Sequence, residues 1–474
     1  MFIGRVRELE SLEETYSREG FGMTVIYGRR RIGKSTLISE LVKDKKAIFY
    51  TSTRVGAERN LELFSEMVVS VLDPTLTSLT FSSVEGVLDY ITNKLSKIDK
   101  KLVLVIDELP FWAEKNEALL SILQKYIDTE WLDKNFMLIL CGSSLSFMEK
   151  KVLSEKSPIF GRRNSQIRLE PFNYREASLF VENYTNEEKA ICYGITGGVA
   201  KYLALLDPKK TLDENIVRLF FRTDGYLFDE TKNLLTQEFS DVTLVNNIIE
   251  QIAAGENTLN SIATKIHEKE NTVLYSLDKL ISVGLIKKKR CITEEKNKKK
   301  TLYVLCDYMF AFWYKFIPKA VSVIEIGEGQ KYFEKMVRPN LHLYMGNVFE
   351  EMCKYYTLEQ GVRGRFDLFV GKTGTWWGTE TLTDEAGKKI TKTADIDVVG
   401  LSMEDKTAII GECKFKNEKV DKEIYDTLIR RSNLLSDGYV AKKYILFSLS
   451  GFTKWYETAN LKDAYLITLD DMYK

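Results

Sequence analysis

The octet Gly28-Arg29-Arg30-Arg31-Ile32-Gly33-Lys34-Ser35 constrains this chain more than any other feature, because an apolar strand-like run, residues 23–27, precedes it and a helical pattern, residues 36–41, follows. Its two glycines let the backbone curl around phosphate oxygens, and the helix behind aims unpaired amides and the positive end of its dipole at them. The spacing therefore predicts a phosphate-binding loop in which Gly28, Arg29, Arg30, Arg31, Ile32, Gly33, Lys34, Ser35 and Thr36 hold a nucleotide. Lys34 is expected to reach the β- and γ-phosphates, and Ser35 to give a hydroxyl ligand to Mg²⁺. A glycine turn that merely joins a strand to a helix is the plain alternative.

The partner segment is Leu102-Val103-Leu104-Val105-Ile106-Asp107-Glu108. Its unbroken apolar run reads as a central parallel strand, and ligands of such sheets sit at the carboxyl edge, where the two acids lie. Asp107 is expected at the Mg²⁺ shell and Glu108 beside the attacking water. Further strand runs at residues 23–27, 47–51, 136–140 and 166–169, separated by amphipathic stretches, predict an α/β fold with a doubly covered parallel sheet over residues 1–173.

At 474 residues the chain is too long for one core. The six cysteines show no Cys-x-x-Cys spacing and there are only two histidines, which argues against zinc-finger, zinc-hydrolase and histidine-triad chemistry. The thiols read as core residues of a reducing, cytoplasmic compartment. No apolar stretch reaches bilayer-spanning length, and the start of the chain reads as structure rather than as a signal peptide, so no membrane association is expected. Equal numbers of basic and acidic residues leave nucleic-acid binding open, because a basic patch can hide in a neutral total.

Residues 174–240 read as helices forming a lid on the nucleotide site. Residues 241–315 read as a winged helix-turn-helix: three short helices, then strand-like pieces at 286–292 and 301–305 around a charged turn. Lys287, Lys288, Lys289 and Arg290, with Lys296, Lys298, Lys299 and Lys300, make that wing basic, as a phosphate-contacting wing would be. Protein docking is the equal alternative. Residues 316–345 read as a helical connector, and the aromatics at 308–316 as core.

Residues 346–474 carry a second constellation. Asp397 lies in one apolar strand, and Glu412-Cys413-Lys414 in another, where period-two alternation puts Glu412 and Lys414 on one face. Charges inside apolar strands are costly unless paired or bound to metal. Asp397 and Glu412 are therefore expected to hold Mg²⁺ and Lys414 to position the attacking water, with Glu350 brought in by a preceding helix. A structural ion pair is the alternative.

Together these motifs resemble the archaeal-type P-loop ATPases of the AAA+/STAND region, with a DEXX-box, a winged helix and a C-terminal domain of the PD-(D/E)XK nuclease class. The resemblance spans nearly the whole chain and implies a restriction-endonuclease-like α/β fold at the C-terminus. Phe2-Ile3-Gly4-Arg5 with Glu8-Leu9 is similar to the adenine-side box of that group. Leu140-Cys141-Gly142-Ser143-Ser144 matches its sensor strand, which implies that Ser143 or Ser144 senses the γ-phosphate. Residues 158–163 match its arginine-finger segment, which implies that Arg162 acts from a neighbouring subunit of a homo-oligomer. Thr196-Gly197-Gly198-Val199-Ala200 is similar to its lid motif, with Ala200 where proline is usual. The expectation is an ATP-hydrolysing module coupled to a C-terminal domain that binds nucleic acid, DNA before RNA, and cuts it with Mg²⁺. A nucleotide-switched signalling ATPase with a protein partner, or a C-terminal domain that binds nucleic acid without cleaving it, are the competing readings.

Overall fold

The structure, a computed structural model, describes residues 2–76, 79–297, 300–383, 387–459 and 461–474. The chain divides into two compact units: residues up to Pro171 with Val199–Tyr202, and Phe172–Gly198 with Leu203–Lys474.

Unit 1 is built on five strands: β1 (Gly22–Tyr27), β2 (Ala47–Thr51), β3 (Leu102–Asp107), β4 (Phe136–Gly142) and β5 (Ser165–Arg168). They lie in the order β2-β3-β4-β1-β5, and every pairing is parallel. All residues of β1, β3 and β4 are buried, which explains why their sequences run apolar instead of alternating. Alternate side chains divide between two cores. Val25, Leu104, Ile106 and Leu138 meet Phe64, Leu88, Ile91 and Trp112 on one face. Ile26, Val103, Val105 and Ile139 meet Leu12, Leu37, Ile38 and Leu41 on the other. The parallel α/β sheet expected from sequence is present, with β5 shifted by one residue.

Unit 2 begins with helices Tyr174–Ser178, Asn186–Thr196, Leu212–Phe220 and Glu230–Glu238. Capping boxes start three of them, at Asn173, Thr185 and Thr211, each closed by a glutamate three residues on. This stretch, expected to go with the nucleotide core as a lid, belongs to unit 2 except for Val199–Tyr202. Its aromatic and charged side chains explain the allegiance. The Tyr174 hydroxyl donates to the Met472 carbonyl at 3.0 Å, Tyr193 packs on Tyr308 with centroids 5.5 Å apart, and Arg175 pairs with Glu359.

Helices Val242–Ala253, Leu259–Lys265 and Glu270–Ser282 follow, then an antiparallel hairpin of β6 (Ile286–Lys289) and β7 (Leu302–Leu305). The order of elements is the one expected for residues 241–315, but β6 stops at Lys289, not at residue 292. The reason is burial: Cys291 and Ile292 leave the hairpin for the core of the C-terminal sheet, and the Ile292 N–H donates to the Thr375 carbonyl at 3.1 Å. In helix Tyr308–Phe316 the residues Met309, Phe310, Phe312, Tyr314 and Phe316 are buried, so the aromatic run is core.

The 22-residue helix Leu341–Val362 leads into a mixed sheet of β8 (Val370–Thr383), β9 (Lys389–Ser402), β10 (Thr407–Lys414), β11 (Val440–Ser448) and β12 (Ala464–Thr468). The order is β12-β11-β10-β9-β8, with β8, β9 and β10 antiparallel and β10, β11 and β12 parallel. Among the described residues no helix is long and apolar enough to cross a membrane.

Candidate functional site

In unit 1 the loop between β1 and the helix Lys34–Val42 closes tightly on itself. A Cβ on Gly28 would lie 2.4 Å from the Leu169 carbonyl oxygen, so no other residue fits there. Gly33 takes φ 91° as the helix N-cap, and Arg31 also sits in the left-handed region at φ 70°. The Lys34 ammonium is buried and donates to the carbonyls of Gly28 and Arg29 at 2.9 and 3.0 Å, across the mouth of the loop. Those neutral acceptors are the ones a phosphate would replace. Two further segments brace the loop. Arg5 donates to the carbonyls of Ile32 and Glu170 at 3.3 and 2.6 Å, and the Lys201 N–H donates to the Arg31 carbonyl at 3.0 Å.

The acids at the end of β3 face the same loop. The Ser35 hydroxyl donates to Asp107 Oδ2 at 2.7 Å, while Asp107 Oδ1 accepts the Glu108 N–H at 2.9 Å. A hydroxyl and a carboxylate oxygen side by side are the hard oxygen donors Mg²⁺ takes, so these residues fit the ion, Asp107 directly or through water. Glu108 adopts φ 49° and its Oε2 accepts from Ser143 Oγ at 2.7 Å and Ser143 N at 3.2 Å. The structure thus brings Lys34, Ser35, Asp107, Glu108 and Ser143 together, while Thr36 is exposed on the helix. Arg162 stands differently. Its guanidinium grips Asp128 through two 2.7 Å bonds and donates to the carbonyls of Pro158 and Phe160, both at 3.0 Å. Every guanidinium nitrogen is engaged within its own chain.

In unit 2 the charges gather where β9 and β10 meet the helix Leu341–Val362. Asp397 Oδ2 accepts the Cys413 N–H at 3.0 Å, and Glu412 pairs with Lys414 at 2.5 Å, on one face as the alternation predicts. On the helix, Lys354 is buried and reaches Glu351 at 2.9 Å and Glu350 at 3.7 Å. Burial, reinforced by the charge of Asp397, pushes Glu350 and Glu412 each up to about 7. Burial likewise raises Asp397, against the opposing Cys413 amide. Glu351 goes the other way: despite burial, Lys354 and Lys287 hold it near 2.

The expected Glu350–Asp397–Glu412 metal triad is not assembled as such, since among the described residues no three His, Cys, Asp or Glu side chains converge as ligands. Lys414 pairs with Glu412, Lys354 lies 3.7 Å from Glu350, and the Cys413 amide donates to Asp397 Oδ2. The residue chemistry still fits a divalent cation, because desolvated acids that resist ionisation beside one another are the groups such a charge relieves.

Several cations of the wing are paired within the protein. Lys287 pairs with Glu351, Lys288 with Asp278 at 3.0 Å, and Lys300 with Glu294 at 3.0 Å. The Lys289 ammonium lies 6.0 Å over the Trp377 ring. Lys287, Lys288 and Lys300 thus meet protein acids, while Lys288, Arg290 and Lys296 are exposed to solvent; Lys298 and Lys299 lie outside the described residues. Sequence reading missed Glu351, Lys354, Lys287 and Lys289 as members of the acidic site. The Glu351–Lys354 spacing of i,i+3 was a readable signal. The arrival of the wing lysines was not.

Comparisons with known proteins agree with the N-terminal half of this picture. The family description of an ATPase domain predominantly from Archaea fits residues 2–206, and one of archaeal and bacterial proteins of unknown function fits residues 313–424. An uncharacterized protein of Methanocaldococcus jannaschii is 30% identical over 474 residues, 99% of this chain and 100% of its own length. An uncharacterized ATP-binding protein of the same organism is 24% identical over 247 residues, 42% of this chain and 68% of its own. Among solved structures, a Walker-type ATPase of Pyrococcus abyssi is 18% identical with TM-score 0.49, covering 66% of this chain and 96% of that one.

Proposed function

This chain belongs to one family with the full-length Methanocaldococcus jannaschii protein, its N-terminal part an archaeal-type P-loop ATPase domain, and from that premise we propose an ATP-driven machine acting on nucleic acid. The ATPase module hydrolyses ATP and is coupled to a C-terminal domain that binds nucleic acid, DNA before RNA, and cleaves it at a divalent-metal centre. The observation that carries the ATPase half is the meeting of Ser35 with Asp107 and of Ser143 with Glu108 in front of Lys34. In this reading Lys34 leaves the carbonyls of Gly28 and Arg29 for the phosphates. Glu108, held by Ser143, orients the water that attacks the γ-phosphorus and accepts its proton. Ser35 and Asp107 would hold Mg²⁺, which would supply charge neutralisation at the phosphates.

The C-terminal half of the reading is supported by Asp397 and Glu412 on adjoining strands, with Lys414 beside them. Asp397 and Glu412 would hold the cation, Glu350 would approach from the helix, and Lys414 would place the water. The winged-helix reading of residues 241–315 rests on three helices followed by an antiparallel hairpin. The pairing of Lys287, Lys288 and Lys300 with acids favours one rival, in which this hairpin docks protein and the machine is a nucleotide switch.

One set of measurements separates them. Intact protein with Mn²⁺ or Mg²⁺ is titrated by calorimetry and assayed on single- and double-stranded DNA and RNA, with and without ATP. Cleavage that disappears in Asp397→Ala and Glu412→Ala supports the nuclease reading. ATP turnover stimulated by DNA without cleavage supports binding alone, and turnover indifferent to nucleic acid supports the switch.

A further inference from the structure

Two contacts fix the helix Leu341–Val362 against the strands of the acidic centre. Its Phe349 ring lies 5.2 Å from that of Phe415, the residue after Lys414, and a Cβ on Gly400 of β9 would lie 3.3 Å from Thr357 Cγ2. They bracket residues 350–354 and set that turn over the strands that carry Asp397 and Glu412. Glu350 and Glu351 stand four and three residues before Lys354, so both reach it along one side of the helix.

Lys354 is buried between those two acids. Its ammonium lies 2.9 Å from Glu351 and 3.7 Å from Glu350, and Lys287 of β6 pairs with Glu351 as well. A buried ammonium is stable only while its acids stay paired with it, and acids so engaged have less charge to offer another cation. On the strand side Asp395 is taken by Arg431 at 3.2 Å, which leaves Asp397 and Glu412, the latter beside Lys414. Two divalent ions about 3.5–4 Å apart would bring four positive charges into this place and need acids to match them. Among the described residues no three His, Cys, Asp or Glu side chains come together to do so.

We propose that the acidic centre of unit 2 takes a single divalent cation, on Asp397 and Glu412, and that Lys354 is the fixed charge that excludes a second ion by holding Glu350 and Glu351. Lys354 is a positioning residue, and Glu350 is its partner and not a ligand of that ion. Phosphodiester chemistry at this centre then runs with one metal ion beside the ammoniums of Lys414 and Lys354, without the clamp that two ions form. The proposal rests on the metal-centre reading of the C-terminal domain.

The test uses the full chain carrying Asp107→Asn, which removes the carboxylate of the nucleotide-side Mg²⁺ site, with Mn²⁺ as the probe and no nucleotide present. Calorimetry should count one Mn²⁺ per chain, and the bound ion should give the six-line electron paramagnetic resonance spectrum of an isolated Mn²⁺. Asp397→Asn should abolish binding. Lys354→Met, similar in volume but uncharged, should raise the count to two and replace the six-line spectrum with that of a spin-coupled pair ~4 Å apart. Adding Glu350→Gln to Lys354→Met should return the count to one, because the second ion uses the carboxylate that Lys354 held. A purely structural Lys354 would move the unfolding midpoint and leave the count alone. Where Lys354→Met fails to fold, Lys354→Gln takes its place, since its amide still donates to a carboxylate. Two Mn²⁺ with Lys354 present, or a folded Lys354→Met or Lys354→Gln chain that still binds one, overturns the proposal and leaves the metal-centre reading intact. A chain with Lys354 present that binds no Mn²⁺ overturns both.

Discussion

The acidic centre of unit 2 makes a prediction whose size follows from its electrostatics. Burial and the neighbouring Asp397 lift Glu412 from an ordinary value of 4.5 to about 7. A carboxyl whose folded pKa lies above its unfolded one contributes stability that is fully present below pH 4.5 and is lost as the pH rises through 7. At about 1.4 kcal/mol per pH unit, holding Glu412 charged at pH 8 costs about 3 kcal/mol. Glu412→Gln keeps the shape of the side chain and removes the charge, so it should stabilise the metal-free protein at pH 8 by up to that amount. With about 2–4 °C per kcal/mol for a large domain, the midpoint of the unfolding step assigned to unit 2 should rise by up to roughly 6–12 °C. The gain should fall below about 1 kcal/mol at pH 5, where wild-type Glu412 is protonated in the folded state. Calorimetric scans at pH 5 and pH 8 with chelator present measure both. Adding Mn²⁺ at pH 8 should raise the wild-type midpoint and leave that of Glu412→Gln in place. A variant no more stable than wild type at pH 8, or equally stabilised at both pH values, refutes the view that Glu412 is held as a desolvated charge.

Saturating ATP at about a hundred times its dissociation constant should stabilise unit 1 by about 2.7 kcal/mol, and Lys34→Ala should abolish the thermal shift that reports it. Glu108→Gln should bind ATP as tightly as wild type yet lose at least about a hundredfold in kcat, measured by phosphate release, because an amide cannot accept the proton. Gly198→Ala should destabilise the protein by about 3 kcal/mol or more in denaturant titrations: the residue has φ 69°, and a Cβ there would lie 2.0 Å from the Phe172 carbonyl oxygen.

The nucleotide site was legible in the sequence because its parts are local or tied to chain-wide patterns. The loop octet fixes its own curl through Gly28 and Gly33, and an apolar run ending in Asp107 and Glu108 about seventy residues beyond it reads as the buried strand that delivers acids to the sheet edge. Period two likewise puts Glu412 and Lys414 on one face of their strand. What the sequence by itself could not decide is which distant charges would meet. Nothing in the lysine run reveals an acid 64 residues further on; the fold brings Glu351 to Lys287. Likewise Asp128 lies 34 residues from Arg162, and only the packing of unit 1 sets it against the guanidinium. Periodicity and loop chemistry are carried by neighbouring residues and survive in one dimension. Charge neutralisation acts through space, and its partners are chosen only when the chain has folded.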